Sequence, residues 1–191
     1  MSAPQLDLFQ PDPTLPEGLR YQPELITPDE EARLVETFAE LPFKPFEFHG
    51  YLGKRRVVAF GWRYDYGARA VDEAAPIPDF LKPIRERAAA FAGLAPEDLQ
   101  QAMINEYEPG AGIGWHRDKP QFGEVVGLSL LSACNLRFRR KTPDGWERRS
   151  LKPEPRSAYL LTGPARSQWQ HSIPGVPALR YSVNFRTYLG D

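Results

Sequence analysis

Asn105-Glu-Tyr-Glu-Pro-Gly-Ala-Gly-Ile-Gly-Trp-His116-Arg-Asp118 is the stretch whose reading decides the fold. Its start continues a strand-like run over 101–107, which the Pro109-Gly110 turn ends. Gly110, Gly112 and Gly114 have the wrong spacing for a dinucleotide loop, and no helix follows them. They read instead as freedom for the chain to turn tightly. On extended backbone, positions i and i+2 share a face, so His116 and Asp118 aim an imidazole and a carboxylate at one place.

Outward from that stretch, everything after Pro96 reads as short strands between Gly and Pro turns. They cover 101–107, 123–133, 136–140, 146–151, 156–161, 169–173 and 180–188, and the Pro143-Asp-Gly145 turn predicts a hairpin. Before Pro96, Thr27-Pro-Asp-Glu30 predicts a capped helix start, with Ala32, Leu34, Val35, Phe38 and Leu41 on one face. A second helix is predicted over 79–91 with Gly93 as its stop, and a strand over 57–62 lies between the two. Helices followed by many short strands predict an α+β fold, the helices bracing a closed or nearly closed β-structure.

The composition excludes several classes. A length of 191 residues suits one domain. With 24 Lys and Arg against 25 Asp and Glu, the chain is no histone-like polycation. The single cysteine, Cys134, excludes an internal disulfide framework and suits a reducing compartment; it reads as inert core. No apolar run is long enough to span a membrane, and the start shows no basic segment leading into an apolar one. The expectation is a cytoplasmic monomer without membrane contact. Residues 1–20 hold four prolines and predict an extended tail, leaving 21–191 as the domain.

His171 lies on a predicted strand far downstream, and His49 is the remaining histidine, read as surface or structural. Two imidazoles and one carboxylate would leave metal positions open, as in the facial triad of non-haem iron(II) oxygenases. The rival reading is a chance His-x-Asp tripeptide and an ordinary buried histidine. On 180–188, Arg180, Ser182, Asn184 and Arg186 alternate with Tyr181, Val183 and Phe185. A solvated strand face would look similar. Yet the two arginines sit about 20 Å apart along a strand, and inward-leaning guanidinium groups would close that to the length of a short diacid.

Taken together, Asn105-Glu-Tyr107, Pro109-Gly110, His116-Arg-Asp118, His171 and Arg180-Tyr-Ser182-Val-Asn184-Phe185-Arg186 resemble the AlkB-type iron(II)/2-oxoglutarate dioxygenases. The resemblance runs from about residue 21 onward. It implies a double-stranded β-helix, or jelly roll, with Fe(II), 2-oxoglutarate and O2 as cofactors. It implies that His116, Asp118 and His171 hold iron. Arg180 with Tyr107 would take the distal carboxylate of 2-oxoglutarate, Asn105 and Arg186 the chelating end, with Ser182 and Asn184 on the same face. Ser182 departs from the asparagine of the best-known bacterial member. Oxidation of an N-methyl group would then release formaldehyde.

The implied substrate is alkylated DNA or RNA, in repair of alkylation damage. Phe60-Gly-Trp62-Arg-Tyr64-Asp-Tyr66 matches the family's aromatic lid, which makes Trp62, Arg63, Tyr64 and Tyr66 candidates for the target base; Phe60 reads as core. Basic clusters at Lys54-Arg-Arg56 and within 137–152 suit a phosphate backbone, or equally a hairpin kept soluble by charge. Gln5-Leu-Asp-Leu-Phe9 resembles a peptide that binds the bacterial sliding clamp. The rivals are the same chemistry on methylated protein or a small molecule, and a non-catalytic nucleic-acid binder.

Overall fold

The computed structural model describes residues 14–48, 51–65 and 70–190. The Gln5–Phe9 segment, His49 and Tyr66 therefore lie outside the described residues. Strand β1 (Leu19–Gln22) leads into helix α1 (Pro28–Phe38), and then come β2 (Lys44–Phe48), β3 (Tyr51–Asp65) and β4 (Ala70–Glu73). Helix α2 (Lys82–Ala92) follows a single 3-10 turn at Asp79–Leu81. The remaining chain forms β5 (Leu99–Tyr107), β6 (Ile113–His116), β7 (Phe122–Leu130), β8 (Leu136–Thr142), β9 (Gly145–Leu151) and β10 (Ala158–Leu161). Helix α3 (Gly163–Ser167), β11 (Gln170–Ile173) and β12 (Arg180–Tyr188) complete it.

The start of α1 and the stop of α2 have local causes. Thr27 and Glu30 form the expected reciprocal capping box, and Gly93 ends α2 in the left-handed conformation at φ 76°. Strand β1 begins two residues inside the expected tail, because Leu19 is buried and registers opposite Leu161 on β10. The hairpin at 143–145 forms, with Thr142 opposite Gly145.

Two antiparallel sheets face each other. The larger runs β1-β10-β7-β12-β5-β3-β2 with β4 beside β3, and the smaller runs β6-β11-β8-β9. This is the jelly-roll form expected, with helices on one side. Alternation on β12 divides the interior. Tyr181, Val183 and Phe185 join Leu34, Phe38, Ile84 and Ala88 in a core between the large sheet and the helices. The opposite face of that sheet meets the small sheet over Tyr107, Val125, Phe138, Tyr159 and Trp169. Among the described residues no helix is long and apolar enough to cross a membrane.

Candidate metal centre and active-site cavity

A cavity of about 1240 Å³ opens between the two sheets, and His116, Asp118 and His171 line it together with Tyr107, Tyr159, Asn184 and Arg186. Antiparallel pairing of β6 with β11 sets His171 directly opposite His116. Their rings stand 4.2 Å apart between centres. One ligand atom each from His116, Asp118 and His171 lies within 4.8 Å of the others. Asp118 arrives differently from the expectation: β6 ends at His116, so the turn that follows, not strand alternation, carries the carboxylate inward.

The glycines ahead of the site make this register feasible. A Cβ on Gly112 would sit 2.5 Å from the Ile173 carbonyl oxygen. Gly110 N–H donates to Val176 O, and Val176 N–H donates to Ala111 O. The approach to β6 is thereby clasped to the exit from β11, fixing the two histidine strands together.

The three side chains are in protonation states that suit a cation. His116 Nδ1 lies 2.9 Å from the Gly114 carbonyl, which favours the tautomer with Nε2 free of its proton. Burial holds the His116 imidazole below its ordinary pKa, and burial together with the His116 charge takes His171 to about 3. Burial alone would raise the Asp118 carboxyl, but Arg186 and the two imidazoles outweigh it and keep it well below the usual carboxylate range. Two neutral imidazoles and one carboxylate fit Fe(II).

Arg180 carries the second half of the fit. It is fully buried, its Nη2 donates to Ser129 Oγ at 3.1 Å, and its guanidinium lies 5.1 Å from the centre of the Tyr107 ring. Its Nε and Nη1 have no partner among the described residues. A buried cation with two orphaned donors calls for an anion, and a bidentate carboxylate matches the guanidinium fork. The residues present therefore fit 2-oxoglutarate as well as iron.

Arg186 differs from the expected second carboxylate clamp. Its Nη1 donates to Gln101 Oε1 at 2.9 Å and its Nη2 to Asp118 Oδ1 at 3.3 Å, so it grips the carboxylate of the candidate metal centre. Asn105 is fully buried and its Nδ2 donates to Ser182 Oγ at 3.3 Å. Asn184 Oδ1 is buried without a partner among the described residues.

Of the expected aromatic lid, Trp62, Arg63 and Tyr64 are among the described residues. Trp62 stacks on Tyr188 with ring centres 4.7 Å apart and is not among the described residues lining the cavity. The sheet order leaves only β5 between their strands, so the ring at the end of β12 captures the indole. Arg63 and Tyr64 are placed on β3 by backbone alone. Phe60 packs against the helical core, as expected.

Sequence reasoning missed two arginines. Arg55 belongs to no phosphate-binding cluster: it is buried, donates to Asn105 Oδ1 at 2.7 Å and lies 3.9 Å from the Phe46 ring centre. Its neighbour Arg56 pairs with Glu106 at 2.5 Å. The signal lay in the β3 alternation, where Arg55, Val57 and Ala59 share the cavity side. Arg166 on α3 donates to the carbonyls of Asp118, Lys119 and Gly123 and so fastens the turn that delivers Asp118. Nothing in its local sequence marks it.

The family model of the 2OG-Fe(II) oxygenase superfamily matches residues 18–186. The "Alkylated DNA repair protein ALKBH8 homolog" of Arabidopsis thaliana is 32% identical over 183 residues, covering 82% of this chain and 51% of that protein. The mouse "tRNA (carboxymethyluridine(34)-5-O)-methyltransferase ALKBH8" is 34% identical over 165 residues, covering 83% of this chain and 24% of that protein. The chain thus spans about half the length of the first relative and a quarter of the second. The solved structure of OsALKBH1 superimposes with a TM-score of 0.69 over 90% of this chain and 97% of that one, at 16% identity.

Proposed function

The chain belongs to the 2OG-Fe(II) oxygenase superfamily, with AlkB-like relatives, and on that premise we propose an oxidative demethylase of N-alkylated bases in DNA or RNA that acts on alkylation damage. The observation that carries the oxygenase chemistry is Arg180, a buried cation with two orphaned donors beside Tyr107, whose ring lines the same cavity as His116, Asp118 and His171. Nucleic acid as the substrate is supported by the names of the relatives, which concern alkylated DNA and tRNA.

His116, Asp118 and His171 would hold Fe(II), and Arg180 beside Tyr107 would hold the distal carboxylate of 2-oxoglutarate. Asn105 and Arg186 would face its chelating end, with Ser182 and Asn184 completing the wall. When bound, iron, 2-oxoglutarate and O2 supply oxidation of an N-methyl C–H bond, after which formaldehyde leaves the nitrogen. The chain positions these partners. Arg186 keeps the Asp118 carboxylate aimed and ionised, while Gly114 fixes the His116 tautomer. Arg55 and Ser182 hold the Asn105 carboxamide from either end. Tyr159, Val125 and Leu161 give the cavity apolar wall that limits water.

The purified protein, given Fe(II), 2-oxoglutarate and N-methylated oligonucleotides, is expected to release succinate and formaldehyde in equal amounts. Succinate formation with every methylated DNA and RNA left intact would refute the substrate and leave the oxygenase. Gln5-Leu-Asp-Leu-Phe9 supports, from sequence alone, a tether to a bacterial sliding clamp. Failure of a peptide of residues 1–12 to bind the clamp would refute that tether.

A further inference from the structure

The outer face of the small sheet carries a stack that the site does not use. Phe138 and Leu136 point inward and are buried, so Arg137 and Arg139 on the same strand point outward. The Arg139 guanidinium carbon lies 4.4 Å from the Trp115 ring centre and 4.4 Å from that of Trp146. Arg137 lies 5.0 Å from Trp115. Each arginine is anchored through Nε to β11: Arg137 to Ser172 Oγ at 3.1 Å, Arg139 to Gln170 Oε1 at 2.8 Å. Across the hairpin, Arg148 stands opposite Arg139, and Lys141 opposite Trp146. Both Arg148 and Lys141 are exposed.

Three properties of this face converge. First, it is cationic: the hairpin's glutamate, Glu147, is engaged by Arg140 and Arg149 rather than by the outer arginines. Second, its charges alternate with flat rings, and Trp146 is 42% exposed although a large apolar ring gains by burial. Third, it is continuous with the cavity, because Trp115 lines that cavity next to the ligand His116. Cations interleaved with aromatic planes match the repeat of a single strand, whose phosphates take the charges and whose unstacked bases take the rings.

We propose that the Trp115–Arg139–Trp146 face docks the single-stranded nucleic acid flanking the target base, leading it to the rim of the cavity. This deepens the demethylase reading and rests on it. The stack holds Arg139 in place between two indoles, so little side-chain freedom is lost when the strand arrives. A duplex, whose bases are already stacked on one another, has no ring to offer Trp146.

The test compares a methylated single strand of about a dozen nucleotides with a trinucleotide carrying the same methylated base, by fluorescence anisotropy and by kcat/KM for formaldehyde release. Trp146→Ala is expected to weaken binding of the long strand roughly tenfold, within the range for one stacked base. Trp146→Phe is expected to restore most of it. Arg148→Ala is expected to lower the salt dependence of long-strand binding by about one counterion. The ratio of long-strand to trinucleotide kcat/KM is expected to fall about tenfold in Trp146→Ala, in the stacking range above.

Equal losses on both lengths, no loss on either, or tighter binding of the matching duplex than of the single strand would each overturn the docking face while leaving the demethylase standing. A wild-type protein that neither binds nor turns over any methylated oligonucleotide overturns both.

Discussion

Arg186 reaches Asp118 from the strand that also carries Arg180, with Nη2 3.3 Å from Oδ1, while Gln101 holds the other arm of the same guanidinium. One residue therefore sets both the charge and the direction of a carboxylate placed to hold a metal. Arg186→Met leaves Asp118 buried without its main cation. Metal affinity is expected to fall about 10–100-fold, the usual cost of losing such a supporting partner. Titration of the metal-free protein with Mn(II) measures it, and unchanged affinity would separate Arg186 from the centre.

Arg180 predicts opposite signs for binding and stability. Arg180→Met removes the cation that a distal carboxylate would meet, so the apparent KM for 2-oxoglutarate is expected to rise about 30-fold or more. The same change removes a buried charge with two orphaned donors. The unliganded variant is expected to be as stable as the wild type, or more stable by up to ~2 kcal/mol. Thermal melting with and without 2-oxoglutarate reads both, and the ligand-induced rise in Tm should vanish in the variant.

Gly112 tests the clasp beneath the histidines. A methyl group there would collide with the backbone of Ile173 and Pro174, neither of which is a flexible end. Gly112→Ala is expected to cost about 1–3 kcal/mol, as overpacking does. Because the displaced strands carry His116 and His171, metal affinity should fall along with Tm. Loss of stability with full metal affinity would show that the histidines are held from elsewhere.

Glu30 gives the pH dependence. Its carboxylate accepts from Arg87, and with the Thr27 backbone N–H also bound, its pKa falls from 4.5 to about 2. A carboxyl depressed on folding stabilises above its unfolded pKa, and that gain is lost as pH falls toward the folded value. Glu30→Gln is expected to lower stability by up to ~1 kcal/mol at pH 7. The difference from wild type should shrink between pH 4.5 and 2 in denaturant titrations.

Much of this site was legible because its residues carry their chemistry in type and spacing. His116, Asp118 and His171 are scarce residue types, and the β12 alternation separates Arg180 and Arg186 from Tyr181 and Phe185 without tertiary information. The helix caps at Thr27 and Gly93 are equally local. What escaped was set by contacts distant in sequence. Edge strands β1, β2 and β4 are short, and β2 contains Pro45, so neither propensity nor period marks them. Arg55 and Arg139 sit in basic runs whose composition suggests phosphate contact. Only contacts distant in sequence separate the two: Arg55 is buried against Asn105, whereas Arg139 stays on the outer face between two tryptophans. Nothing near the end of β3 marks Trp62 as taken, because Tyr188, which captures it, lies 126 positions later.

Strand β12 is hydrogen-bonded to β5 on one side and β7 on the other, so it occupies the middle of the large sheet although it follows both in sequence. As the chain leaves the ribosome, β5 and β7 emerge with the gap between them still empty. The exit tunnel must release residues 180–188 before the sheet can zip shut. The same nine residues bring both arginines, so the central strand of the sheet, the buried Arg180 cation and the Arg186 hold on Asp118 arrive in one event. A nascent chain stalled before that point would show neither, and would be prey for chaperones and proteases.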